Sequence, residues 1–549
     1  MITFKDVFLF MIFLMAIQVE AAERKMLLIG GGLKICSSYS IKHCPQKLSF
    51  DETAYQSSYF QISQAAIKTI ESNHYKIFSS KEKHQDVVAL LVKYLKRHKS
   101  EPVNRRELIK RLDALKLTQS QRSGRDILDS LYSDEWNFVF QNLQLPVTDS
   151  HGNGLTEYVF LDQSHADSRA IITRFVKMVQ QTSEQERPLI LVSTASAGDV
   201  FDAASFYIQL FKGFQVDVAW LPIEASLLQV LSDENVSCNQ LDEYRGKHYA
   251  VFNREKTYPQ LAAYQQSFCE KPAYFEQLIN RASGIFFNGG DQFLTLSALA
   301  DTSNGRKLFS PTFKLIQQRF NDGKLVVAGT SAGAAVQSGG AFNSKTLPMI
   351  TNGESIAGFF NGSLATNFPP SSLCESKRYC GREVKANSLT VFQPGGLGLL
   401  PIGLLDTHFS ERDRAFRMIR LLADHHLTRG FGVDENTALV VTEQHDKVKF
   451  EVVGEGAVWQ FDRSMSLQSS NQSVYGSTNV VAMFDKKSAP GLEQRLDDDI
   501  VAKLVKQSLK SNTLAKGSVK AGDNKANIAV KAEQTGAQLS ISLEILSDD

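Results

Sequence analysis

The segment Gly329-Thr330-Ser331-Ala332-Gly333 sets a serine between small residues. A hydroxyl becomes a nucleophile when a base takes its proton and when donors meet the oxyanion it creates. G-x-S-x-G serves both needs if it joins a strand to a helix. The small neighbours then let the backbone turn sharply, and the next amide opens a helix. As a bare string the motif recurs by chance in a glycine-rich chain, so its context has to carry it. Here residues 325–327 (Leu-Val-Val) form a short apolar strand in front of it. The N–H of Ala332 is one expected oxyanion donor. A second is expected from Phe287-Asn288-Gly289-Gly290-Asp291-Gln292, at Gly290, where another strand ends in a glycine pair.

The base should be one of eleven histidines. His408 stands out, because Asp406-Thr407-His408-Phe409-Ser410 follows the apolar run 399–405 and precedes a helical stretch over 412–422. His425 and His426 fall at the far end of that stretch, where a cation offsets the helix dipole. A third group should orient the imidazole. Phe431-Gly432-Val433-Asp434-Glu435 is another strand that ends in carboxylates, so Glu435, Asp434 and Asp406 are all candidates.

The elements that must hold these residues alternate from about residue 167. A helix over 171–179 leads to a strand at 189–192, and a helix over 201–211 leads to a strand at 216–221. A strand at 284–287, a helix near 313–320 and the strand before the serine follow. Continuous apolar strands alternating with helices indicate a parallel sheet covered on both faces. Ligands in such sheets bind beyond the carboxyl ends of the strands, which is where the candidates lie. Residues 25–33 (KMLLIGGGL) form the first such strand, halted by glycines.

Between that strand and the rest lies charged, helically patterned chain. Val87, Val88, Leu91, Tyr94 and Leu95 keep helical spacing, and Leu108, Ile109, Leu112 and Leu115 repeat it after an expected N-cap at Asn104. The expected division is a catalytic α/β domain over 22–36 and 166–485, a mostly helical insertion over 37–165, and a C-terminal tail over 486–549. The tail holds an amphipathic helix over 500–509 and an alternating stretch, 539–543, read as an edge strand. It is assigned no catalytic function.

With 43% hydrophobic and 22% charged residues the chain is of ordinary globular composition, and its net charge of +1 points to no nucleic-acid partner. Lys5, the apolar run 7–17, and Val19 and Ala21 read as a signal peptide over 1–21, with a secreted or periplasmic destination and no membrane association after cleavage. Six cysteines in local couples, Cys36 with Cys44, Cys238 with Cys269, and Cys374 with Cys380, agree with export and disulfides. Zinc spacing is absent, so no metal is expected.

Taken together, Ile29-Gly30-Gly31-Gly32, Ser193-Thr194-Ala195-Ser196, the Asn288–Gln292 loop, Gly-Thr-Ser-Ala-Gly-Ala at 329–334, Asp-Thr-His-Phe-Ser-Glu-Arg-Asp-Arg at 406–414 and Gly-Val-Asp-Glu-Asn-Thr-Ala at 432–438 resemble the cyanophycinase and aspartyl-dipeptidase (dipeptidase E) family of serine peptidases. The matching segments span 26–34 and about 167–460, in the family's order. The resemblance implies a flavodoxin-like, class I glutamine-amidotransferase-like domain. It also implies Ser331 as nucleophile, His408 as base, Glu435 as orienting acid, and Gln292 and Arg417 beside the substrate. The substrate would be a peptide or isopeptide with an aspartyl residue at the scissile bond, such as β-Asp-Arg material, cleaved by an exopeptidase that uses no cofactor. A homodimer is allowed. Cyanophycinases usually carry Gln just before the catalytic histidine. Thr407 stands there in this chain, which puts cyanophycin itself in question and leaves the hydrolytic chemistry untouched. A lipase-like α/β-hydrolase would order its residues Ser, acid, His and carry an HGGG-type loop, and neither holds here. An inactive binding protein on the same fold is the other alternative. Serine at the elbow excludes a cysteine-dependent amidotransferase.

Overall fold

The computed structural model describes residues 22–45, 48–72, 76–367, 383–399, 401–445, 447–463, 468–469, 474–488, 492–496, 499–522 and 524–546. The expected signal peptide over 1–21 and the Cys374/Cys380 couple lie outside the described residues. Among the described residues no helix is long and apolar enough to cross a membrane.

Five apolar runs become strands: β1 (Arg24–Ile29), β2 (Leu189–Ser193), β3 (Asp217–Trp220), β4 (Ala282–Phe287) and β5 (Val326–Thr330). The chain then forms β6 (Leu404–Thr407), β7 (Arg429–Val433), β8 (Thr437–Gln444), β9 (Lys447–Gly454), β10 (Val458–Arg463) and β11 (Val474–Met483). It ends in β12 (Ala515–Ala521), β13 (Asn524–Thr535) and β14 (Gln538–Leu546). The strands make two sheets. The first has seven strands in the order β9-β8-β1-β5-β4-β2-β3. Its strands from β1 to β3 run parallel, and β8 and β9 close one edge antiparallel. The second sheet runs β6-β7-β10-β11-β14-β13-β12, with the short strand Gln468–Ser469 paired to β11, and is antiparallel except for the β6/β7 pair.

Successive residues of the parallel strands enter opposite cores, as a period of two requires. Leu28, Leu191, Ile285 and Val327 pack with Phe313 and Ile316 of the helix Pro311–Asn321 on one face. Leu27, Ile190, Phe286 and Val326 pack with Ile171 and Phe175 of the helix Ala166–Thr182 on the other. Both faces are dry, which is why the strands read as continuous apolar runs.

The second sheet corrects the reading of the C-terminal strand. β14 is not an edge: it sits between β11 and β13, with Ile541 opposite Val480 on one side and Ala532 on the other. Its residues alternate exposed and buried along the whole strand. The buried set packs beneath the helices Ala415–Asp424 and Ile500–Ser511, where Met418, Leu422, Val501 and Val505 meet Ile541, Leu543 and Ile545. One face only is covered, so half of each strand is polar and the apolar signal is diluted.

Residues 37–165 hold the helices Gln64–Ser72, Lys81–Arg97, Arg105–Asp113 and Ser133–Leu143 around a core of their own, including Ile67, Leu91, Leu108, Leu112 and Phe138. Asn104 caps its helix as expected, accepting from the Glu107 N–H at 2.9 Å. A two-residue ladder, Tyr59–Phe60 with Val103–Asn104, is the strand content that periodicity alone did not show. Phe252 of the main domain enters this core, 5.0 Å from the Phe138 ring. Disulfides join Cys36 to Cys44 and Cys238 to Cys269.

Candidate active site

β5 delivers Ser331 into a turn with φ 53° and ψ −116°, a conformation that non-glycine residues rarely adopt. Gly333 permits the turn: a Cβ there would lie 2.3 Å from the carbonyl oxygen of Phe287 on β4. The Ser331 N–H donates to the Ile29 carbonyl at 2.8 Å, which ties the elbow to the end of β1. The helix that follows is a single turn, Ala332–Ala335.

β6 delivers His408, also at positive φ (47°), and its N–H donates to the Gly30 carbonyl at 2.8 Å. Its Nε2 lies 2.6 Å from Ser331 Oγ, and its Nδ1 lies 2.5 Å from Glu435 Oε1. A carboxylate only accepts, so Nδ1 carries the proton and Nε2 accepts from the serine hydroxyl. Burial lowers the His408 pKa below its ordinary 6.5. Hydrogen bonding to Glu435 pushes the other way, and Arg412 and Arg414 add to the lowering. A neutral imidazole is the form that can accept the serine proton. Glu435 stands on the turn between β7 and β8, and its own N–H donates to Glu411 Oε1 at 2.8 Å.

The glycines after β1 make room for this relay. A Cβ on Gly31 (φ 109°) would lie 2.3 Å from His408 Cε1, and one on Gly32 (φ 60°) would lie 2.3 Å from Glu435 Oε2. Their proximity to the motif was visible in the sequence only as a resemblance. Their reason is steric.

The three candidate acids separate cleanly. Glu435 meets the imidazole. Asp406 instead accepts from Arg417 through both oxygens, at 2.7 and 2.6 Å, and from Arg414 at 3.0 Å. Arg417, Arg414 and the Thr407 N–H hold its carboxyl below the usual range against the opposing effect of burial. Asp434 is a scaffold: Ser410 donates to it through N–H (3.0 Å) and Oγ (2.7 Å), and the Ala457 N–H donates at 2.9 Å. Burial pushes its pKa up to about 6.

Ser331 and His408 open on a cavity of about 560 Å³. Gly290, Ala332, Gln292, Thr407, Arg412, Arg414 and Arg417 all line it. Gln292 Nε2 donates to the Ile350 carbonyl at 2.5 Å, which fixes its amide toward the 350–355 loop. Arg417 is 3% exposed and spends its guanidinium on Asp406 and on the Gly353 carbonyl at 2.6 Å. Arg414 also bonds the Thr407 carbonyl. Burial, with Arg417 beside it, lowers its pKa to about 9. Sequence reasoning missed the 350–355 wall and Asn387, which carry no motif. It also missed the scaffold role of Asp434. His425 is the C-cap of its helix, as expected; burial lowers its pKa, which works against its serving there as a cation, and Ser363 Oγ lies 3.2 Å from its Nε2.

Among the described residues one cluster, His165, Asp167 and Glu455, brings metal-type donors within 4.8 Å of one another. Lys34 Nζ already lies 2.7 Å from Glu455 Oε2, and Asn436 Nδ2 donates to the same oxygen at 2.8 Å, so the carboxylate has its cation.

No family model matches the chain. A solved peptidase from an acI-B1 Actinobacterium aligns over 54% of this chain and 86% of its own at 17% identity, with a TM-score of 0.31. The cyanophycinases of Trichormus variabilis and Nostoc sp. are each 31% identical over 180 residues, 33% of this chain and 45% of theirs. That of Geminocystis herdmanii is 29% identical over 184 residues, 34% of this chain and 51% of its own. The chain thus spans about half the length of these relatives, and over about a third of its own length it is a homologue of the cyanophycinases.

Proposed function

We propose that the protein is a serine-type exopeptidase that hydrolyses a peptide bond at an aspartyl residue. The hydrogen-bonded series Ser331 Oγ, His408 Nε2, His408 Nδ1, Glu435 Oε1, opening on one cavity, carries this reading. Ser331 Oγ attacks the scissile carbonyl while Nε2 takes its proton. The N–H groups of Ala332 and Gly290 receive the oxyanion, and the new imidazolium is stabilised by Glu435. Nε2 then protonates the leaving amine. Water, deprotonated at the same nitrogen, attacks the acyl-enzyme and releases the acid. Arg412 and Arg414 give the cavity positive charge for a substrate carboxylate, and Gln292 and Arg417 shape the wall behind it.

The similarity to cyanophycinases favours β-Asp-Arg material as substrate. Thr407, buried on the cavity wall where those enzymes usually carry Gln, favours a second reading, an α-aspartyl dipeptidase on the same fold. We further read the enzyme as exported, from the leader-like residues 1–21 and the two disulfides. The deciding experiment incubates purified protein with cyanophycin, with α- and β-aspartyl dipeptides and with simple esters, and identifies products by mass. Release of β-Asp-Arg supports the polymer reading. Cleavage of α-aspartyl dipeptides alone selects the second. Ester cleavage without peptide cleavage would overturn both.

A further inference from the structure

The seam between the insertion and the first sheet holds two adjoining clefts of about 200 and 190 Å³, and Asp202 lines both. Their walls are aromatic. Tyr55, Phe201 and Tyr258 line one, and Phe60, Trp136 and Phe140 line the other. These rings already hold guanidinium groups of the protein itself. Arg105 lies 5.5 Å over Trp136 and 5.7 Å over Phe140, rings that stack 4.1 Å apart, and Arg254 lies 5.5 Å over Tyr258. Of the two aspartates here, Asp199 takes Arg254 Nη1 at 2.6 Å. Asp202 receives the Tyr258 hydroxyl at 2.7 Å and, among the described residues, forms no salt bridge of its own, Arg254 acting on it from its place on Asp199. Asp202 is exposed, so its carboxylate is open to a ligand entering either cleft.

We propose that this seam is a second binding site, distinct from the catalytic cavity, for an alkyl guanidinium: the side chain of arginine, free or within a peptide. Asp202 supplies the charge partner, and the aromatic walls supply faces on which a flat guanidinium stacks better than a compact, strongly hydrated ammonium. The site does not depend on the reading of Ser331. It shares a loop with it, however. The Ser196 carbonyl accepts from the Asp291 N–H at 2.7 Å beside Gly290, and the same loop runs on to Asp199 and Asp202.

The test is calorimetric titration of the full chain carrying Ser331→Ala with N-acetyl-arginine amide, its neutral isostere N-acetyl-citrulline amide, and an acetylated Gly-Arg-Gly amide. The expected result is one saturable site for the arginine probe, with the citrulline probe at least tenfold weaker. Asp202→Asn should weaken the arginine probe at least tenfold while an unchanged melting temperature shows that the protein stays folded. Glu354→Gln, which removes a carboxylate lining the catalytic cavity, should leave the titration unchanged. The tripeptide binding as well as the monomer would identify a peptide side chain as the ligand. Tripeptide binding weaker by tenfold or more would restrict the site to the free compound. Absence of saturable binding, equal binding of citrulline, insensitivity to Asp202→Asn, or loss in Glu354→Gln would each overturn the proposal.

Discussion

Ser331 comes from the first sheet, while His408 comes from the second and Glu435 from the turn that leads from the second back to the first. The two sheets are built differently. The first is mostly parallel, and its parallel strands are buried on both faces. The second is mostly antiparallel and buried on one. The relay therefore crosses a seam, and the end of β1 pins it. Ile29, Gly30 and Gly31 carbonyls accept from the N–H groups of Ser331, His408 and Asn436 at 2.8 Å each. The proposed relay, split between two sheets, depends on how each sheet is held, not only on the three side chains.

The sharpest way to break the comparison is to remove one side of the seam at a time. Ser331→Ala, from the first sheet, and His408→Ala, from the second, should each lower kcat/KM by about 10³ to 10⁶, because members of a relay act as a unit. The double variant should be no worse than about tenfold below either single one, measured on whichever aspartyl substrate the panel selects. Multiplicative losses would show that the two sides act separately. Glu435→Gln should cost about 10² to 10⁴, since the amide still fills the space but no longer stabilises the imidazolium.

The same contrast governs what could be read beforehand. β2, β4 and β5 were legible because every residue of each is buried, so their composition is mostly apolar. Ser331 and His408, the proposed nucleophile and base, stood out as candidates because they follow such runs. β12 and β13 were not, because lysines and other polar residues occupy their exposed positions and small alanines many of their buried ones, so the stretch resembles a polar tail. β14 showed its alternation but not its partners, since pairing with β11 spans some sixty residues and leaves no local trace. Glu435, Asp434 and Asp406 could not be told apart by type. What separates them is which donors the fold brings, and Arg417 alone claims both oxygens of Asp406.

Asp406 tests that separation. Asp406→Asn leaves Arg417, 3% exposed, without its charge partner, and breaking a buried pair costs about 3–5 kcal/mol. The expected outcome is a large loss of stability in chemical denaturation, with the folded fraction retaining more activity than Glu435→Gln. If Asp406→Asn were as stable as the parent but inactive, Asp406 rather than Glu435 would be the orienting acid.

With His408 as the proposed base, a pH profile follows. Burial lowers the His408 pKa below 6.5, and the protonated ring cannot accept from Ser331. Activity should therefore rise with pH through a midpoint below 6.5 and be flat at neutral pH. A midpoint above 6.5 in kcat/KM would mean that the Glu435 bond outweighs desolvation.

The smallest expected effect lies where the C-terminal chain meets the base-bearing turn. Asp499 caps the helix Ile500–Ser511, accepting from the Ala502 N–H at 2.7 Å, and the Ile500 N–H donates to Asp413 Oδ1 at 3.0 Å. Burial, with Asp434 and Asp413 nearby, pushes the Asp499 pKa up to about 7 from an ordinary 3.8. The sign follows from proton counting. Between those two values the native state holds the proton and the unfolded chain does not, so stability falls as pH rises from about 4 to about 7. Asparagine caps helices as well as aspartate and carries no charge. A full rise from 3.8 to about 7 would be worth about 4 kcal/mol, but solvent reaches this partly exposed carboxyl and screens it, so Asp499→Asn should match the parent near pH 4 and be more stable at pH 8 by on the order of 1–2 kcal/mol. Melting temperatures of both proteins across that range measure the difference. Equal slopes would show that Asp499 is not held protonated, and that the tail meets the catalytic module without an electrostatic cost.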